Sequence, residues 1–310
     1  MYRKRTDLAL ETRELHAPKG KEDGVTVTER QAGGVRITAM EISPAGEAFY
    51  GKAAGRYVTV EIGDVWRGQA DAFESAATVL AEELKALLPP GEGCVLAAGL
   101  GNRRITADSV GPKAVDGLLV TRHIRTLDEE LFQTAAFGEL AALTFGVLGQ
   151  TGMESGEIVL GAVERIKPRC VIAIDALASR RLERLASTVQ LSDTGICPGS
   201  GVSNHRAALN KETLGVPVIS IGIPTVVDAG TLAYDLLEEL ALREGFSAEA
   251  SLPEGLMEGL QGGKGKGFFV TPKDSDALAA GAARLISAAI NLAVHEGMTL
   301  RELAEYQGGS

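Results

Sequence analysis

The spacing of hydrophobic and polar positions changes character several times along the chain. Between residues 25 and 62 it alternates by twos. Val25 and Val27 stand against Thr26 and Thr28; Val35-Arg36-Ile37-Thr38-Ala39-Met40-Glu41-Ile42 follows Gly33-Gly34; Tyr57-Val58-Thr59-Val60-Glu61-Ile62 comes later. Side chains alternate faces along an extended chain, so this stretch predicts an antiparallel hairpin and a third strand. From 70 to 88 the spacing is helical (Phe73, Ala76, Ala77, Leu80, Leu84, Leu87), and Pro89-Pro90-Gly91 ends it. Beyond that point, short continuous apolar runs at 94–98, 170–174 and 216–222 read as strands buried on both faces.

Segments with helical spacing at 110–120, 155–166, 228–242 and 275–295 are interleaved with these runs, and 121–124 reads as a short strand or turn. Such alternation predicts an α/β fold, doubly wound on a mostly parallel sheet with right-handed crossovers. The antiparallel piece at 25–62 is then an N-terminal β extension at the edge of a core spanning 93–300. Residues 1–24 show no sustained period and read as a loosely docked arm, broken at Ala17-Pro18-Lys19-Gly20. Residues 245–266, rich in Gly and Glu, read as a linker.

Composition narrows the function classes. The chain has 310 residues, enough to bury a sizeable core, and a formal net charge of -10. That balance disfavours direct nucleic-acid binding. No apolar run approaches the ~20 residues of a membrane span. The basic start, Met1-Tyr2-Arg3-Lys4-Arg5, leads into Thr6-Asp7 rather than a signal-peptide core, so a cytoplasmic protein is expected. Cys94, Cys170 and Cys197 form no C-x-x-C motif, and two of them fall in strand-like runs where Cys acts as a small hydrophobe. The four histidines show no H-x-x-x-H spacing, so no helix-borne zinc site is visible.

The candidate chemistry lies where loops follow strands. Gly99-Leu100-Gly101-Asn102 turns out of the first buried run and reaches Asp108 just before a helix; Asp175 stands at the end of the second run. Ligands in α/β sheets sit beyond the carboxyl ends of the strands, so loops 99–112, 175–179 and 192–204 should converge on one crevice. A dinucleotide fold fits poorly, because Arg104 occupies the third glycine position of G-x-G-x-x-G. Ser192-Asp193-Thr194-Gly195 shares three letters with pepsin-like proteases, yet stands once in an α/β chain, and no G-x-S-x-G elbow is present. An Asp after a strand also caps helices. Two carboxylates in one glycine-lined crevice can share a proton and activate water, or bind a divalent metal that acidifies it. The spacing leaves both open.

These residues resemble the germination proteases of spore-forming bacteria. The resemblance rests on Arg5-Thr6-Asp7-Leu8-Ala9, on Gly99-Leu100-Gly101-Asn102 with Asp108 and Gly111-Pro112, and on Leu119-Val120-Thr121-Arg122-His123. It continues through residues 149–154, Ala173-Ile174-Asp175-Ala176-Leu177-Ala178, Ser192-Asp193-Thr194-Gly195-Ile196 and Gly222-Ile223-Pro224-Thr225-Val226-Val227-Asp228. The G-x-G-N loop is also similar to that of hydrogenase-maturation endopeptidases, where the corresponding acids bind metal.

The resemblance implies a catalytic pair at Asp108 and Asp175, with Gly101, Asn102, Glu154 and Asp193 lining the substrate loops. It further implies a zymogen and a homotetramer in the spore core, acting during germination on small acid-soluble spore proteins. The family's substrate motif reads acid, cut, apolar, Ala, small, Glu. Thr6-Asp7-Leu8-Ala9-Leu10-Glu11 fits it with Leu10 at the small position. Autocleavage is therefore expected between Asp7 and Leu8, making 1–7 a propeptide and 8–310 a single peptidase domain. A metal-dependent peptidase using the same carboxylates, and a non-catalytic binder of basic proteins, are the alternatives.

Overall fold

The computed structural model describes residues 6–16, 24–67, 70–197, 208–243 and 267–307. Strands β1 (Val25–Ala32), β2 (Val35–Ile42) and β3 (Gly55–Glu61) form the expected antiparallel meander, interrupted by helix α2 (Pro44–Tyr50) after helix α1 (Ala9–His16). The long helix α3 (Ala70–Leu87) precedes β4 (Val95–Gly99), helices α4 (Val110–Asp116), α5 (Arg122–Leu127) and α6 (Glu129–Thr134), and β5 (Leu140–Thr144). Then come α7 (Leu148–Thr151), α8 (Ser155–Ile166), β6 (Cys170–Ser179), β7 (Thr188–Ser192), α9 (Lys211–Leu214), β8 (Val218–Asp228) and α10 (Ala229–Arg243). Strand β9 (Phe269–Val270) and helices α11 (Ser275–Val294) and α12 (Leu300–Gln307) close the chain.

The nine strands of the described residues share one sheet, ordered β1-β2-β3-β7-β8-β6-β4-β5 with β9 beside β8. Only β8-β6-β4-β5 is parallel; the remaining pairs are antiparallel. The α/β class is as expected, but the sheet is not mostly parallel: among the described residues five of the eight strand pairs are antiparallel, and only the part that carries the first two glycine loops is parallel. The meander is no appendage, because β3 pairs with β7 and continues the same sheet.

One face packs α3, α4 and α11 over a continuous apolar layer that runs from Val35 and Ile37 through Val58 and Val60 to Ile172, Ile174, Ile219 and Ile221. The other face is covered in two parts. Val159 and Val163 of α8 and Leu214 of α9 pack over Leu96, Val171, Ala173 and Val218; Ala9 of α1 and Tyr50 of α2 pack over Met40, Ile42 and Tyr57. Between these two clusters lie Asp175 of β6, Ser220 and Gly222 of β8 and Gln190 of β7, with the apolar Leu177 packed against Gly222.

Four expectations are corrected. Residues 6–16 are docked rather than loose: Leu8 and Glu11 are fully buried. No apolar period announced this, because the segment is held mainly by hydrogen bonds to carboxylates. The helix expected over 110–120 stops at Asp116, where Gly117 passes against Ser287 and Leu119 N–H donates to Asn291 of α11 (3.0 Å). Residues 121–124 begin helix α5 rather than a strand. Helix α11 is also long and apolar enough to cross a membrane, contrary to the expectation that no run is; most of it is buried as the core helix of the sheet's apolar face. The expected linker at 245–266 and residues 1–5 of the expected propeptide lie outside the described residues.

Candidate active site

Strand β4 runs beside β6 with Gly99 opposite Ile174, and Leu100 N–H extends the pairing by donating to the Ile174 carbonyl (2.8 Å). The chain then reverses at Gly101, whose φ of +107° belongs to the region that favours glycine. A Cβ there would stand 2.2 Å from the Asp108 carbonyl oxygen. The reversal brings Asn102 N–H onto the Asp108 carboxylate (2.8 Å to Oδ2). Asp108 ends a 3-10 turn (Thr106–Asp108) that packs against β6 and β8 and is pinned by the Thr225 hydroxyl donating to Ala107 O (2.6 Å). Asp108 is thereby fixed at the carboxyl ends of the parallel strands.

Asp175 is 7% exposed, and its Oδ1 accepts from Ala176 N–H (2.9 Å). In register it lies opposite Gly222 of β8, and Gly222 lies opposite Gln190 of β7. Laterally paired residues point to the same face, so Asp175, Gly222 and Gln190 form one cross-sheet row. The row spans about 10 Å of backbone at the usual strand spacing. Gly222 leaves the middle of that row without a side chain; a Cβ there would meet Asp175 O at 2.7 Å and Leu177 Cγ at 2.8 Å.

The N-terminal segment occupies the next position. Strand β8 carries one extra residue, Thr225, where pairing steps from Leu177 to Ala178. Ala178, three residues beyond Asp175, stays in register with Val226 of β8 and turns its own N–H and carbonyl to the arm: Asp7 N–H donates to Ala178 O (2.9 Å), and Ala178 N–H donates to the Asp7 carboxylate (2.8 Å). The Asp7 carbonyl oxygen accepts from Lys52 Nζ (2.9 Å) and Gln190 Nε2 (3.2 Å), while Gln190 Oε1 accepts from Ala9 N–H (2.7 Å). Glu11 accepts from Arg180 N–H (2.6 Å) and Arg181 N–H (3.0 Å), receives the Thr6 hydroxyl, and lies 3.4 Å from the Arg184 guanidinium. Burial holds the Lys52 amine below the ordinary lysine range, against the opposing pull of Asp7, Cys197 and Glu11.

The remaining sequence candidates fall into different roles. Gly101 and Asn102 shape the Asp108 turn, and Asn102 Oδ1 also accepts from Gln150 Nε2 (3.0 Å). Glu154 is the N-cap residue of α8, its N–H bound by Glu157 (2.8 Å), so helix capping accounts for it. Asp193 is exposed and accepts from Arg56 N–H (2.7 Å), which prolongs the β3–β7 pairing. The third glycine loop is described only to Cys197. Lys52 and Gln190 were not legible beforehand: Lys52 follows α2 in a turn, and Gln190 sits in an ordinary strand pattern. Burial lifts the Cys94 and Cys170 thiols to about 11 and about 12, so they pack as hydrophobes rather than serve as nucleophiles. Among the described residues, no group of three or more His, Cys, Asp or Glu is placed to hold a metal ion, so the described donors do not fit a three-ligand site.

The model of one protein family, described as germination protease, matches residues 4–249. A germination protease of Caldanaerobacter subterraneus is 42% identical over 96% of this chain and 96% of its own length. One from Clostridium perfringens is 38% identical over 99% of both, and one from Bacillus subtilis is 42% identical over 81% of this chain and 71% of its own.

Proposed function

The chain belongs to the germination protease family, and on that premise we propose that it is the endopeptidase that opens the degradation of small acid-soluble spore proteins during germination. It is made as a zymogen, works in the spore core as a homotetramer, and cuts after an acidic residue before an apolar-Ala-x-Glu sequence. Its own Asp7–Leu8 bond is the first such site, and residues 1–7 leave as the propeptide.

The observation that carries this reading is the seating of the arm. Four of the five motif positions have a seat: the Asp7 carboxylate takes Ala178 N–H, Leu8 is fully enclosed, Ala9 N–H meets Gln190, and Glu11 takes two backbone N–H groups. The fully buried Glu11 carboxylate is tolerable only when its oxygens are bonded, so its seat selects an acid, and the half-buried Asp7 carboxylate is matched to the Ala178 N–H. The arm is tethered, and its effective concentration at the site is high.

The mechanism that fits this arrangement uses Asp108 and Asp175 as a pair. One carboxylate, ionised, takes a proton from water as it adds to the Asp7 carbonyl carbon. The other, protonated, supplies the proton that the Leu8 nitrogen needs as the C–N bond breaks. Two acids held close can divide these roles, since one charge disfavours the second. The test is peptide cleavage after exhaustive chelation beside the Asp175→Asn variant. We expect activity to survive chelation and to fall by at least a thousandfold in the variant. Loss on chelation with recovery on adding one divalent metal would replace the pair by a metal-bound water. Sequencing the N-terminus of the processed chain should give Leu8 first.

A further inference from the structure

We propose that Lys52 and Gln190 form the oxyanion-stabilising donor pair of this peptidase, holding the scissile carbonyl oxygen through cleavage; the assignment rests on the arm being the enzyme's own substrate.

The geometry singles out one oxygen. The Leu8 carbonyl is already used by Thr12 N–H in the first turn of α1, whereas the Asp7 carbonyl takes two side-chain donors from separate elements. Gln190 is fixed from three sides. Its backbone pairs with Thr59 of β3 and Gly222 of β8, and its Oε1 accepts Ala9 N–H, which turns Nε2 toward the Asp7 oxygen. Lys52 reaches the same oxygen from the turn between α2 and β3, half-buried beneath the arm. Gln190 stands across Gly222 from Asp175 in the same cross-sheet row, with the Leu177 side chain packed against Gly222.

The step balances without a further reagent. Water oxygen bonds to the Asp7 carbonyl carbon and gives a proton to the ionised acid. The carbonyl π pair moves to oxygen, where Lys52 and Gln190 N–H groups meet the new charge. Collapse breaks the C–N bond, and the proton goes to the Leu8 nitrogen. Donors fixed in advance at the place where charge develops contribute more than mobile water does, and losing one such donor costs on the order of a hundredfold in kcat.

The test uses the full chain with its arm intact, and also a synthetic peptide of residues 2–16 supplied in trans. Gln190→Glu keeps the acceptor for Ala9 N–H and removes the donor to Asp7 O; Lys52→Met removes the second donor; Lys52→Arg restores a cationic one. Release of residues 1–7 is timed by intact mass, and the melting transition of each variant is recorded so that either one alone suffices if the other does not fold. Support would be a drop of about a hundredfold in release and in peptide kcat, with KM within twofold, and partial recovery in Lys52→Arg. Wild-type release from both folded variants, or a loss confined to KM, would overturn the assignment and leave the arm reading intact. A wild-type chain that cuts neither its arm nor the peptide would instead sink the arm reading itself, and this assignment with it.

Discussion

Glu11 shows at the scale of one residue how a polar segment becomes part of a core. It is fully buried, yet both oxygens are bonded, to Arg180 and Arg181 N–H groups and to Thr6, with Arg184 beside them. Replacing it with Ala strands two backbone donors, while the Arg184 guanidinium keeps its bonds to Glu14. We expect Glu11→Ala to cost about 3 kcal/mol in urea unfolding and to slow release of residues 1–7. An unchanged midpoint would mean the arm adds nothing to the fold. Gly101 poses the complementary case, a residue defined by what it lacks. A Cβ there is both in an unfavourable backbone region and 2.2 Å from Asp108 O. Gly101→Ala should therefore displace the Asp108 turn, lowering cleavage at least tenfold and stability by about 1–3 kcal/mol. A variant as active as the wild type would show that Asp108 position is not critical.

Among the elements, α11 ties the two halves of the chain together, and its end carries a pH-sensitive group. His295 follows its last turn, is buried, and donates from Nε2 to Leu119 O (2.9 Å), with Phe137 edge-on at 5.9 Å. Burial lowers its pKa from the ordinary 6.5, outweighing the carbonyls that favour the cation. The sign follows directly: near and below pH 6.5 the unfolded chain binds a proton that the folded chain resists. Stability is therefore full above that pH and is lost as pH falls toward the folded value. Unfolding free energy measured from pH 8 to pH 5 should decline through that window, and His295→Gln should flatten the decline. An identical slope in the variant would exclude His295 as its source.

For the whole molecule, the apolar layer under α3, α4 and α11 is continuous from β2 across β6 and β8. A core shared by the antiparallel and parallel halves cannot melt in one without exposing the other. Residues 8–310 are therefore expected to unfold as a single domain, with coincident far- and near-ultraviolet transitions. Two separated transitions would assign the meander its own stability. Sedimentation equilibrium is the companion measurement for the proposed homotetramer, which predicts four times the 32.4 kDa chain mass.

How much of this was legible beforehand depends on the range of the interaction. Local period determined the elements: alternation at 25–62, helical spacing at 70–88 and buried runs at 94–98 and 170–174 each became the structure they announce, because those patterns encode which face is buried. The glycine turn placing Asp108 was legible for the same reason, since its constraint lies within eight residues of chain. Sequence alone could not show that β3 joins β7, that Gln190 and Asp175 share a row across Gly222, or that a period-free arm is buried. Strand order is decided by packing between distant segments, and the arm is held by hydrogen bonds from residues about 170 positions away. Such bonds leave no periodic trace in either partner. The sequence determined the two carboxylates and the arm as separate features; tertiary structure decided that the arm lies three residues beyond Asp175, on the strand that carries it.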